Sequence, residues 1–352
     1  MALTPKENFL GLYKGRLPEW IPSWGMGMPM ERAPVLGMFV NVMKNGGFPV
    51  SDDPENPFKM PAEWTNEWGV TMVSNPEANF GGLPKPGNFI LDDITKWDKV
   101  IKKPELIAPS IDEIDWVTMA KEQTKDIDRS TTGVMVSIGN GVFQFLVGFM
   151  GFEEALIALV EEPEVCREFF AWADEIYVPV AKKAIEFYKP DMCYMGDDSA
   201  AKYAPFVSPK TYHDVLKPSY AAAAKYAQER EIPIGFHNCG KAEAYLPDMH
   251  DFGVKYWDPA QTENDLIADK AMFDDIVICG GFDFVPPADG SVITEEFTRE
   301  YVRETIDKLA PGGRYAWMGM YMGPAGDEVA PKINEWITDE VKTYGDHYYD
   351  KH

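Results

Sequence analysis

Between residues 133 and 320 the sequence repeats one unit: a short apolar run, a stop of glycine or acid, and then a helical stretch. The runs are Gly133–Ile138, Asp191–Met195, Ile232–Phe236, Val254–Trp257, Ile276–Cys279 and Tyr315–Met320. They are too short for helices and too uniformly apolar for half-exposed strands, so they read as strands buried on both faces. Trp20–Gly27 and Trp68–Val73 are two earlier candidates, which brings the total to eight. Strands that alternate with helices demand parallel pairing, and eight such units fill a chain of 352 residues. The expected fold is therefore α/β, a single (β/α)8 TIM-type barrel spanning residues 1–352. The proline-, glycine- and methionine-rich stretch 28–66 is expected to be a long loop insertion forming one wall of the barrel mouth. A doubly wound sheet is disfavoured because no GxGxxG opens a helix after the first strand.

In a parallel barrel, chemistry gathers at the carboxyl ends of the strands. The run at 232–236 ends there in His237-Asn238-Cys239-Gly240. Side chains two apart on a strand share a face, so His237 and Cys239 project together while Asn238 points away. An imidazole and a thiolate side by side form a borderline-soft pair that suits zinc. The competing reading is a core histidine beside a buried thiol. Gly196-Asp197-Asp198 and Gly280-Gly281-Phe282-Asp283 end two other strands and bring acids to the same mouth. Adjacent residues on a strand end face opposite ways, so one of Asp197 and Asp198 enters the site. The other caps a helix or meets solvent.

Charge narrows the partners. With 57 acidic and 33 basic residues the net charge is −24, which opposes nucleic acid and anionic membranes. It also opposes a substrate rich in carboxylates. No run of eighteen apolar residues occurs, and the first residues lack a basic-then-apolar leader pattern. Four cysteines (Cys166, Cys193, Cys239 and Cys279) are scattered without a paired framework. The expectation is a soluble, cytoplasmic protein.

Several segments, in this order, resemble the uroporphyrinogen decarboxylase superfamily, which includes cobalamin-dependent methyltransferases. They are Gly151-Phe152-Glu153, Glu162-Pro163-Glu164, Gly196-Asp197-Asp198, Ser208-Pro209, His237-Asn238-Cys239-Gly240 and Gly280-Gly281-Phe282-Asp283. The decarboxylases themselves carry an arginine-bearing segment after the first strand. Here Ser23–Met28 holds none, and no arginine lies between Arg16 and Arg32. The resemblance therefore implies the methyltransferase branch, in which a methyl group moves between a small molecule and the cobalt of a separate corrinoid protein. That branch has a zinc motif of HxC with a distant third cysteine. Where relatives place it, this chain reads Trp317–Met322, which makes Cys279 the candidate substitute, with Asp197, Asp198 or Asp283 as alternatives.

The expected metal ligands are thus His237, Cys239 and Cys279, with His237 and Asp197 as catalytic groups. The substrate is expected to meet Trp24, Met26, Met28, Asp198, Asp283, Met318 and Tyr321. The favoured methyl donor is a methoxyaromatic compound, because aromatic and methionine walls suit a planar ring. Methyl transfer to a thiol and metal-free decarboxylation are the alternatives.

Overall fold

The computed structural model describes residues 2–25, 30–44, 46, 61–74, 82–287, 292–323 and 327–351. Its main sheet contains seven strands. They are β1 (Val35–Met38), β5 (Gly133–Ser137), β6 (Met192–Gly196), β7 (Ile234–His237), β8 (Val254–Ala260), β9 (Val277–Gly280) and β10 (Tyr315–Ala316). They pair in that order, and every pairing is parallel. A small antiparallel sheet, β2 (Glu63–Thr65), β3 (Thr71–Ser74) and β4 (Gly82–Pro84), stands apart from it.

The main sheet is curled. Val35 on β1 and Ala316 on β10 belong to one apolar cluster, together with Met192, Tyr256, Val277 and Cys279. In a flat sheet those edge strands would lie about 29 Å apart, six spacings of roughly 4.8 Å. The N-terminal segment plugs the curl. Its helix Pro5–Leu10 opens with the Thr4/Glu7 capping box, and Phe9 and Leu12 are fully buried. Phe9 stacks on Tyr256 at 4.6 Å and accepts the Tyr256 hydroxyl on its carbonyl at 2.9 Å. Apolar burial of this kind is the main drive that holds the curl, worth about 25 cal/mol per Å².

Two expectations need correction. Of the two early strand candidates, the Trp20–Gly27 run contributes one parallel bridge, Ser23 to Trp317 beside β10. Among the described residues no ladder joins it to β1, so the curled seven-stranded sheet is open between β10 and β1. The Trp68–Val73 run becomes β3 of the antiparallel sheet instead of a barrel strand. The true edge strand, β1, lies inside the supposed irregular insertion. Its short Val-Leu-Gly-Met run was masked by the surrounding prolines and glycines, and it becomes a strand by pairing with β5. Much of the remaining insertion lies outside the described residues, as do Met26 and Met28. Among the described residues, no single helix is long and apolar enough to cross a membrane.

Candidate metal centre

Strand β7 is buried through Ile234, Gly235 and Phe236 and emerges at His237. Parallel pairing sets His237 beside Gly196 on one side and Asp258 on the other. The period of two then acts as expected: Cys239 Sγ lies 3.4 Å from His237 Nε2. Asn238 turns the other way and is fully buried, bonded through its side chain to Ser199. That clamp ties the β6 loop to the β7 loop. Gly240 completes the turn at φ +80°, where an added Cβ would sit 2.6 Å from the carbonyl oxygens of Ala200 and Ala201. Glycine is the residue for such a turn.

Asp198 joins the pair from the end of β6. Its Oδ1 lies 3.6 Å from His237 Nε2 and accepts the Cys239 backbone N–H at 3.2 Å. Its Oδ2 accepts from the Gln144 amide at 2.9 Å. One donor atom from each of Asp198, His237 and Cys239 falls within 4.8 Å of the others. Zinc bonds of about 2.3 Å to sulfur and 2.0–2.1 Å to nitrogen or oxygen imply donor separations of about 3.3–3.6 Å around a tetrahedral ion. The observed 3.4 and 3.6 Å fit that spacing. A zinc ion held by three protein donors would keep a fourth position for a substrate, as catalytic zinc sites do.

Behind the histidine sits a residue the sequence reading missed. Asp258 is fully buried and lies 2.9 Å from His237 Nδ1. It also accepts from Trp24 Nε1 at 3.0 Å and from the Tyr194 hydroxyl at 2.8 and 3.0 Å. Three donors converging on one carboxyl satisfy a buried acceptor that would otherwise be costly. With Nδ1 engaged there, Nε2 is the ring nitrogen that faces Cys239 and Asp198. Burial works against a charged imidazole, but Asp258 and the Cys239 sulfur outweigh it and raise the His237 pKa. Burial raises the Cys239 thiol, and His237 opposes that rise. Burial, reinforced by Asp258, pushes the Tyr194 hydroxyl up, so it remains a donor. The signal for Asp258 was an acid directly after the strand following the HxC strand, but only the β7–β8 register sets it opposite His237.

Other expected site residues stand outside the three-donor cluster. Asp197 lines the same cleft as Asp198 and His237, but its carboxyl serves as a cap. It is buried and accepts from the backbone N–H groups of Phe143 at 2.6 Å, Gln144 at 3.0 Å and Asp198 at 2.9 Å, and from the Tyr220 hydroxyl. It thereby holds the N-terminus of the helix Val142–Met150, and burial pushes its carboxyl up to about 6. Cys279 does not join the cluster. It lies in the apolar interior among Tyr256, Val277 and Ala316, and burial holds its thiol well above the usual range. Trp24 and Met318 belong to the same interior cluster and are nearly inaccessible. Asp283 braces Thr262 (2.5 Å to Oγ1), and Tyr321 bonds to Asp327 at 3.0 Å, neither touching the three donors.

A family model described as "Uroporphyrinogen decarboxylase (URO-D)" matches residues 81–315, which include Asp198, His237, Cys239 and Asp258. The chain belongs to the uroporphyrinogen decarboxylase family. Among solved structures, a methyltransferase from Methanosarcina mazei is similar over 97% of this chain and 99% of its own, with a TM-score of 0.57. At 13% identity that likeness speaks for the fold alone. A search of curated proteins by sequence returns no match. The family match leaves out Trp24, β1, β2 and β3.

Proposed function

We propose that this protein is a methyltransferase that moves a methyl group between a small molecule and the cobalt of a corrinoid protein, with zinc held by Asp198, His237 and Cys239. The observation that carries the reading is this three-donor cluster backed by the buried Asp258. Zinc bound there supplies a Lewis acid that stabilises negative charge developing on a departing oxygen. Asp258 orients His237 so that Nε2 keeps its lone pair toward the cluster. Trp24 and Tyr194 in turn hold Asp258 in place.

The favoured donor is the O-methyl group of a methoxyaromatic compound. The methyl–oxygen bond breaks with its electron pair remaining on oxygen, which then takes a proton. The methyl group joins the partner's Co(I), which becomes methyl-Co(III). Access supports two reactants. A cleft of about 320 Å³ is bounded by Asp198 and His237, and another of about 480 Å³ by Cys239. Neither is lined by an arginine among the described residues, which disfavours a polycarboxylated tetrapyrrole.

The test is to measure metal in the purified protein, then mix it with Co(I) corrinoid protein and a panel of methoxyarenes, methanol and thiols. The expected result is one zinc per chain and formation of methyl-cobalt from a methoxyarene. Methyl transfer from methyl-cobalt to a thiol would reverse the direction proposed. Absence of metal together with release of carbon dioxide from a carboxylated substrate would replace the reading with decarboxylation.

A further inference from the structure

A third cleft, of about 400 Å³, runs from Asp198 into the space between the small antiparallel sheet and the helix Val142–Met150. It shares Gln144, Phe145 and Asp198 with the cleft that reaches His237, so the two clefts meet at Asp198 of the cluster. Phe143 and Phe206 stack in its lining at 5.5 Å, and Phe152 meets both edge-on at 6.0 and 4.9 Å. Trp68 meets Phe145 edge-on at 5.0 Å. Among the described residues that line it, Asp198 alone is charged.

Gly148 adds an independent observation. It sits in the last turn of the helix Val142–Met150, three residues before the Gly151 cap, where glycine is still a poorer helix former than alanine. Close packing does not explain it, because a Cβ built there meets nothing within 4 Å. Gly148 lines the cleft. The missing side chain leaves that wall of the cleft open.

We infer that this slot is the seat of the substrate's ring: a planar, uncharged arene whose ether oxygen points toward Asp198. This rests on the proposed function for the chemistry, but the slot is defined by its own walls. Aromatic walls favour offset or edge contacts with a flat ring. The volume falls within the range of small-molecule pockets, at the end suited to one or two rings. A ring bearing several anionic groups is excluded by the uncharged walls and by Asp198 where the two clefts meet. Gln144, whose amide already bonds to Asp198, is the polar side chain placed to orient a ring substituent there.

The experiment is equilibrium binding of 2-methoxyphenol by calorimetry, on wild-type protein and on Gly148→Leu and Gly148→Ala. Leucine fills the slot while leaving the cluster untouched, and both substitutions favour the helix. The expected result is measurable binding by wild type, a loss of about tenfold or more in Gly148→Leu and a smaller loss in Gly148→Ala. Zinc content and melting temperature should match wild type in both. Unchanged affinity in Gly148→Leu, or no binding by wild type at millimolar ligand, would overturn the slot. If binding follows the expected order but no methyl reaches cobalt, the slot stands and the proposed function falls.

Discussion

Asp258→Asn tests the arrangement behind the three-donor cluster most directly. The wild-type carboxylate takes three donors: Trp24 Nε1 at 3.0 Å, Tyr194 OH at 2.8 Å and His237 Nδ1 at 2.9 Å. An asparagine of nearly the same shape offers one carbonyl oxygen and one amide, so at least one donor must face an N–H. A buried donor left unpaired costs about 1–3 kcal/mol. His237 can escape by moving its proton to Nε2, but that is the atom facing Cys239 and Asp198. Either outcome weakens the site without removing a ligand. Loss of such a supporting contact typically lowers metal affinity about 10–100-fold, or roughly 1.4–2.8 kcal/mol. The assay is competition with a chelator of known zinc affinity at fixed pH, alongside a thermal melt. Tyr194→Phe, which removes one of the three donors and keeps the charge, should give a smaller loss. Zinc affinity in Asp258→Asn within about threefold of wild type would refute the reasoning, because the carboxylate would then not control the ring.

Further outcomes follow from the same geometry. Cys279→Ser should keep its zinc, whereas Asp198→Ala should lose most of it, both read by elemental analysis; the reverse pattern would return Cys279 to the ligand set. Gly240→Ala should cost about 1–3 kcal/mol in a denaturant titration and lower zinc content, since its Cβ collides with two carbonyls and displaces Cys239. The buried Asp269 has an Oδ2 without a hydrogen-bond partner among the described residues, and burial pushes its carboxyl up to about 7. A carboxyl raised in the folded state stabilises most below its ordinary pKa near 3.8, and that contribution disappears as pH rises through 7. Asp269→Asn should therefore be more stable than wild type at pH 8, by up to about 4 kcal/mol, and the gap should close toward pH 4. A constant gap across that range would refute it. Methyl transfer to the corrinoid protein should slow as salt rises, because a net charge of −24 steers a basic partner face over a Debye length of about 8 Å. Rates to the protein-bound corrinoid that ignore salt would exclude electrostatic docking.

The small sheet β2–β4 and the helix Val142–Met150 explain why the aromatic slot was not visible in the sequence. Phe143, Phe152 and Phe206 are spread over more than sixty positions, and each alone reads as ordinary core. Their convergence depends on how the β6 loop crosses the start of that helix, where Asp197 binds two of its first N–H groups. The glycine at 148 had no local meaning until the space beside it could be seen.

Local periodicity settles which way a side chain points, and it settled much here. The alternation from 133 to 320 implied parallel strands, and β5 to β10 follow it. The spacing of His237 and Cys239 put both on one side of β7, and of the adjacent acids Asp198 joins them while Asp197 turns to the helix N-terminus. Sidedness is a property of a single strand's geometry, so a sequence carries it. Which acid entered, which carboxylate stood behind the histidine and where the first sheet strand lay were decided by tertiary structure. Those facts depend on which strand neighbours which and in what register, and no residue encodes its own partner across a sheet. Asp258 follows an unremarkable apolar run, yet pairing β8 against β7 sets it opposite His237. Cys279 carries the right atom for a ligand, but its register leaves it in the interior, and the oxygen of Asp198 stands at the cluster instead.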